Sequence, residues 1–192
     1  LRSAIAKHFV ASMATLETAA ANKQAKIEDF YDFRKNGLEK AKTEKFKRIV
    51  INPEKDKHKA AQIVEILRNA KVEVKVANDS FTSRSAHSYM QKDAPAESKT
   101  FPAGSYIIEL DQPQKTWIKA LMEQDTPQDE AFVADNMQRF KRNQVRGANS
   151  PDREGYGFYD ITAWNLPLAF GVDAYWTEDV GGGNTSIVTD NY

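Results

Sequence analysis

The 192-residue sequence contains no cysteine. Disulfide frameworks, thiolate zinc sites, iron–sulfur clusters and cysteine nucleophiles are therefore excluded. There is also no excess of one charge, because Lys+Arg and Asp+Glu both number 27. Nucleic-acid binding draws on a basic excess, so composition gives no support for a nucleic-acid partner. No apolar run approaches the roughly 20 residues that a bilayer requires, and we expect no membrane span.

The start of the sequence lacks both an initiator methionine and the pattern of a signal peptide. Residues 1–4 lead into an amphipathic pattern instead. We therefore expect the chain to be a piece of a longer protein whose targeting signal lies upstream. The absence of cysteine fits a reducing cytosol and a cysteine-poor bacterial envelope alike, so it leaves the compartment undecided.

The first forty residues have a helical pattern, with no proline and no glycine before Gly37. Large apolar residues recur mostly at steps of three, four or seven, from Ile5 to Leu38, which is the spacing of one helical face. The pattern predicts one long helix within residues 1–44, broken near Asn22 and ending near Gly37. Such a helix must pack on the rest of the chain or on a missing neighbour.

Two strand–helix–strand patterns follow the long helix. Residues 47–51 form a short β-rich run, residues 63–67 supply a helical apolar face, and residues 72–76 alternate as a strand. A unit of about thirty residues favours a parallel pair of strands with a right-handed crossover. Residues 105–110 and the apolar helical face at 117–122 repeat the arrangement. The predicted fold class is α/β: a small, mostly parallel sheet with flanking helices, preceded by the long N-terminal helix.

The predicted organisation has three parts. Residues 1–44 form the helical segment, residues 45–177 an α/β domain, and residues 178–192 a flexible, truncated tail that contains three consecutive glycines. Within the domain, residues 78–104 are rich in Ser, Lys, Asp, Ala and Pro. That composition predicts a long loop with room for a short hairpin.

Catalytic and metal-binding candidates are few. His8, His58 and His87 are the only histidines, and they do not have the spacing of a helical metal site. His87 has Ser85 and Ser88 nearby in sequence, but a catalytic triad also needs an orienting acid. We interpret all three histidines as packing or surface residues. We predict no catalytic residue, no metal ligand and no cofactor in this chain.

Two polar positions leave a ligand site as an alternative. Asn52 and Asp111 each follow a predicted strand and precede a proline-containing helix start. Open α/β sheets bind ligands at the carboxyl ends of their strands, so these residues would line such a site. Helix capping explains the same residues without a ligand.

Aromatic residues are dense between Tyr156 and Trp176. Concentrated aromatics usually fill a core or dock a neighbouring domain. We therefore interpret Tyr159, Trp164 and Trp176 as core or interface residues, with a ligand-stacking platform as the alternative.

Several segments together resemble parts of large bacterial proteins of the zinc carboxypeptidase family, of the carboxypeptidase A type. These are residues 101–106, the strand ending at residues 111–113, the apolar stretch 158–167 and the helical stretch 29–34. The family's catalytic motif, His-x-x-Glu, is absent here. The resemblance therefore implies that this chain lies downstream of the catalytic domain of its parent protein. Zinc would bind to that catalytic domain. It also implies a parent that is periplasmic or secreted.

The leading hypothesis is a non-catalytic accessory domain that supports or caps a peptidase domain in the same polypeptide. The alternative is an independent small-ligand-binding α/β module with its site near Asn52 and Asp111. A homodimer formed through the helix of residues 1–40 is a third interpretation.

Overall fold

The computed structural model describes residues 2–124, 128–157, 165–180 and 183–189. Its helices are α1 (Arg2–Ala21), α2 (Lys23–Thr43), α3 (Lys57–Asn69), α4 (Lys115–Met122), α5 (Glu130–Arg146) and α6 (Leu166–Phe170). Its strands are β1 (Arg48–Asn52), β2 (Lys75–Ala77), β3 (Phe81–Ser88), β4 (Glu97–Phe101), β5 (Tyr106–Glu109), β6 (Asp173–Thr177) and β7 (Thr185–Ile187).

The seven strands form one sheet in the order β4-β3-β6-β1-β5-β2-β7. Every pairing between neighbouring strands is antiparallel. The prediction of a mostly parallel sheet is therefore wrong. Helices and strands still alternate along much of the chain, which keeps a broad α/β description plausible.

The error has an identifiable physical origin in the path of β5. Strands β1 and β2 run in the same direction, as the strand–helix–strand pattern predicted, since each pairs antiparallel with β5. However, β5 lies between them. In the same way β5 and β6 share a direction and enclose β1. The two units thus interlock as split βαβ units, in which each crossover skips one strand.

The two faces of the sheet are covered differently. On one face Ile49, Ile51 and Ile108 pack with α3 and α4, and all three side chains are buried. On the other face Val50 and Ile107 are buried with residues of β3 and β4. The segment 78–104, predicted as a long loop with room for a short hairpin, thus supplies the β3–β4 hairpin, whose Phe81, Ala86 and Phe101 are buried with Val50 and Ile107. We refer to the sheet together with α3, α4 and α6 as the sheet body.

Helices α1 and α2 form the predicted N-terminal helix, and we call them together the helical arm. The predicted break is present at Asn22, but hydrogen bonds from Asn22 N to Thr18 O and from Lys26 N to Asn22 O continue across it at 3.0 Å each. The predicted end near Gly37 is wrong, because α2 continues to Thr43. Gly37 is buried there against α4, and this packing offsets its low helix propensity.

Helix α3 starts later than the sequence indicated. Asn52 does not cap it; instead Asp56 accepts a hydrogen bond from Lys59 N at 3.0 Å. Asn52 Oδ1 accepts from Glu54 N at 3.1 Å, which stabilises the turn between strand and helix.

The start of α4 also differs from the prediction. Helix α4 has Gln114 at its N-cap and no side-chain cap. Helix α6 is capped by Asn165, whose side chain accepts from Leu168 N, and it ends at Gly171 in the left-handed conformation.

Residues 185–187 lie in the segment predicted as a tail. They form β7 and pair with β2 at the edge of the sheet. Across the described parts of the chain, no helix combines the length and apolarity that crossing a membrane would need.

Candidate interaction surface

The helical arm exposes an unusual number of large apolar side chains. Nine of them are between 41 and 65% exposed, and we call this set the arm stripe. Its members are Ile5, Phe9, Val10, Met13, Leu16, Ile27, Phe30, Tyr31 and Phe33. Single exposed apolar residues are ordinary, whereas several large ones grouped on the same helices are typical of a site of interaction.

The arm stripe is wider than the seam of a two-stranded coiled coil. Phe9, Met13 and Leu16 follow the alternating steps of four and three that form such a seam. Val10 and Tyr31 flank the seam and are exposed as well. A face of this width is typical of a helix that packs against more than one element at once.

The same helical face becomes buried where α2 meets the sheet body. Gly37 and Ala41 are the buried residues of α2, and they continue the four-and-three spacing of the stripe. The atom of α4 nearest to a Cβ placed on Gly37 would be Thr116 Oγ1, at 3.8 Å. The last turns of α2 therefore show how this face packs when it has a neighbour.

A buried ion-pair group fixes the base of the arm. Glu44, just after α2, accepts from Lys115 Nζ at 2.7 Å and from Lys119 Nζ at 3.2 Å. The side chain of Lys115 is only 4% exposed. Partial burial raises the pKa of the Glu44 carboxyl, but the hydrogen bonds from the two lysines outweigh this effect and leave the pKa below its ordinary value.

Lys47 closes the end of α2 from the other side. Its Nζ donates to Ala41 O at 2.8 Å and to Lys42 O at 2.7 Å. These are carbonyls of the last helical turn, where a cation also interacts favourably with the helix dipole. Together with Glu44, this contact holds the arm in one direction relative to α4.

A second polar group joins the β3–β4 hairpin to the end of β6. The Asp179 carboxylate accepts from Ser83 Oγ at 2.9 Å, Arg84 N at 2.8 Å and Arg48 Nη2 at 3.3 Å. Arg48 is almost fully buried and also donates from Nε to Thr177 Oγ1 at 3.1 Å. Burial raises the pKa of Asp179, whereas its hydrogen bonds and the Arg48 charge lower it by more, so the pKa lies below its usual value. These hydrogen bonds connect the hairpin to the end of β6, and we assign the group a structural role.

His87 belongs to this neighbourhood but lacks a nucleophile. Its imidazole stacks on Trp176 with ring centres 3.7 Å apart, and its Nε2 lies 3.2 Å from Glu178 Oε1. Ser85 Oγ instead accepts from Glu178 N and Asp179 N at 3.1 Å each. The sequence neighbours Ser85 and His87 are thus used to position the β6 turn. His8 and His58 are exposed on α1 and α3.

The structure does not bring Asn52 and Asp111 together. In the ladder of β1 with β5, Arg48 pairs with Glu109 while Ile51 pairs with Tyr106. Asn52 therefore lies at one end of the ladder and Asp111 lies beyond the other. Asn52 Nδ2 donates to Asp173 Oδ2 at 3.1 Å instead. An antiparallel sheet separates strand ends that a parallel sheet would have placed side by side.

The predicted aromatic residues divide into two groups. Trp176 is partly buried, with Phe46 packed edge-on at 5.5 Å and His87 on its face, so it belongs to the edge of the core. Tyr159 and Trp164 lie outside the described residues. Among the residues that are described, no group of three or more His, Asp or Glu side chains is arranged to hold a metal ion.

The structure gives Trp117 and Gln112 positions that the sequence analysis did not predict. Trp117 is about half exposed on α4, beside the arm. Gln112 is buried, and its side chain binds both Glu73 N and Glu73 O, at 2.8 and 3.2 Å. Neither role has a local sequence signal, because each depends on a partner distant in sequence.

Comparison with known proteins finds no matching family model, no matching curated protein and no matching solved structure.

Proposed function

We propose that this chain is a non-catalytic accessory domain of a zinc carboxypeptidase-like protein, and that the helical arm is its contact with the peptidase domain. The observation that carries the proposal is the arm stripe, in which nine large apolar side chains are exposed in two groups, at residues 5–16 and 27–33. Nine large apolar side chains in water represent several kcal/mol of unused hydrophobic free energy, at about 25 cal/mol per Å². A partner that covers the arm would recover it.

The choice of a neighbouring domain as the partner has two supports. The stripe continues the face that already packs on α4 at Gly37 and Ala41, so a covering surface would extend an existing interface. The width of the stripe also favours a broad surface over a single second helix. The identity of the neighbour as a zinc peptidase domain is supported by the sequence resemblance of residues 101–106, 111–113 and 158–167.

The proposal is tested by reading the coding sequence upstream of Leu1 and expressing the segment it encodes. We expect a His-x-x-Glu motif there and zinc-dependent peptidase activity in that segment. The segment and this chain should co-elute in size-exclusion chromatography. Phe9→Asp with Phe30→Asp should abolish co-elution, whereas Val145→Asp, at a position 91% exposed on α5, should leave it intact.

Three results would overturn the proposal. One is an upstream segment without the motif. Another is stoichiometric zinc binding and peptide hydrolysis by this chain alone. Light scattering of the chain by itself completes the test: dimerisation lost in the Phe9→Asp, Phe30→Asp variant would assign the arm to a second copy instead of a peptidase domain.

A further inference from the structure

A concave notch lies where the helical arm meets α4. It has a volume of about 410 Å³ and is lined by α2, the end of α3 and the start of α4. Two aromatic side chains form its apolar walls: Phe33 from the arm, 56% exposed, and Trp117 from α4, 49% exposed. We call this cavity the arm–α4 notch. It extends the arm stripe onto the sheet body.

The charges around the notch are of one sign. Arg34 and Lys71 line it, and no Asp or Glu does. Within the described chain, neither cation has an acidic side chain at ion-pair distance, while nearby Glu44 is already occupied by Lys115 and Lys119. Arg34 lies over the Phe30 ring, with its guanidinium carbon 3.7 Å from the ring centre. Stacking of this kind leaves the planar edge of a guanidinium able to bind a carboxylate in two places.

Lys71 has a backbone conformation that argues for a role of its side chain. It follows α3 with φ of 63°, and it is the one non-glycine residue with positive φ among those described. Its N donates to Arg68 O at 2.8 Å, and Val72 N donates to Leu67 O at 3.0 Å. This is the position at a helix end where glycine is favoured, because a Cβ is strained there. A lysine in this place disfavours the fold and at the same time puts a cation at the notch.

We infer that the arm–α4 notch is the anchor point of the arm's partner, and that it takes an acidic side chain adjacent to a large apolar or aromatic one. The apolar group would pack between Phe33 and Trp117, and its neighbouring carboxylate would pair with Arg34 and Lys71. Buried aromatic anchors with an adjacent charge pair are the usual centres of binding energy in interfaces. The inference rests on the proposed function for the setting of the notch, while the chemistry it names concerns these four residues alone.

The test uses the whole chain as bait for a phage-displayed library of random dodecapeptides. We expect enrichment of peptides with Asp or Glu next to Phe, Trp, Tyr or Leu. A selected peptide, labelled with fluorescein, is then titrated with each variant by fluorescence anisotropy. Trp117→Ala and Arg34→Gln should each weaken binding by about tenfold or more, the range for losing an anchor or a charged hydrogen bond. Lys7→Gln, on exposed α1, is the matched control and should change nothing.

Lys71→Gly separates binding from folding. It removes the cation and relieves the positive-φ strain together, so we expect weaker peptide binding and a higher Tm in the same variant. Enriched peptides without acidic residues, no enrichment at all, or binding unaffected by Trp117→Ala would each overturn the inference. Peptide binding at the notch combined with an upstream segment lacking His-x-x-Glu would refute the proposed function and leave the notch standing.

Discussion

The helical arm and the sheet body use similar side chains in opposite environments. Ile108, in β5, is fully buried between β1 and the helices, whereas Ile27, in α2, is 53% exposed. The body is stabilised by burial of such residues on both faces of its sheet. The arm has only helix propensity, local ion pairs such as Lys26 with Asp29, and its base at Glu44. A helix in this situation is marginally stable by itself, and its exposed face indicates where a partner belongs.

The largest expected effect comes from making the same substitution, Ile→Ala, once in the sheet body and once in the arm. Ile108→Ala should lower the free energy of unfolding by about 2–5 kcal/mol, because it removes methyl groups and leaves a cavity. Ile27→Ala should change it by less than about 0.5 kcal/mol, as exposed positions usually do. Urea denaturation followed by circular dichroism measures both. Comparable losses would show that the arm stripe is covered in solution.

The next effect concerns the connection between the two regions. Glu44→Gln leaves Lys115 buried without its carboxylate, and we expect a loss of about 2 kcal/mol, less than the 3–5 typical of a fully buried pair because Glu44 is 30% exposed. Trypsin should cleave the arm faster in this variant. Glu39→Gln, which breaks only the exposed pair with Lys42, is the control and should leave the free energy of unfolding unchanged.

A smaller effect is the acid sensitivity of the sheet body. Glu44 and Asp179 have pKa values below the ordinary 4.5 and 3.8. Each carboxylate therefore contributes stability that is present above its unfolded pKa and is lost as pH falls through the folded one. The free energy of unfolding should decline below about pH 5, and Asp179→Asn should make that decline shallower.

The ion pairs of Glu154 serve as a reference for the measurements at low pH. Arg142 and Arg146 hold the pKa of Glu154 at about 2, so the ion pairs beside α5 should persist at pH 3. Urea titrations at pH 7, 5, 4 and 3 provide the measurement. A stability that does not depend on pH across this range would contradict the assigned roles of Glu44 and Asp179.

The smallest effect sharpens the description of the arm. Asn22 occupies the break between α1 and α2 and donates from Nδ2 to Thr18 O at 2.8 Å. Asn22→Ala should stabilise the helix by about 0.5 kcal/mol through propensity alone. A rise in the circular dichroism signal at 222 nm without a change in the urea midpoint of the body is the expected result. A shift of that midpoint would show that the arm and the body unfold together.

Sequence patterns located most elements of the body but not their neighbours. The strands near residues 47–51 and 105–110 and the helical faces at 63–67 and 117–122 follow from local periodicity. Which strand lies beside β1 depends on contacts between residues more than fifty positions apart, and periodicity carries no information about them. The assumption that β1 and β2 are adjacent therefore failed. The ligand site at Asn52 and Asp111 failed for a different reason: it required β1 and β5 to run parallel, and they are antiparallel neighbours.

The sequence allowed a short hairpin within residues 78–104 but did not locate the strands β3 and β4, for a related reason. Only a few of its residues, among them Phe81, Ala86 and Phe101, pack on the sheet, so its composition resembles that of a loop. The hydrogen bonds of Asp179 to the hairpin could not be predicted from neighbouring residues, because its partners Arg48 and Ser83 are distant in the chain. The arm–α4 notch likewise combines residues from three helices.

The sequence by itself determined that this chain has no cysteine chemistry, that its first forty residues are helical with a break near Asn22, and where most strands and helices of the body lie. These properties depend on composition and on near neighbours along the chain. The tertiary structure alone decided the antiparallel order of the sheet, the separation of Asn52 from Asp111, and the exposure of the arm stripe. Those depend on which distant surfaces exclude water from one another, and a side chain such as Ile27 has the same local pattern whether or not such a surface is present.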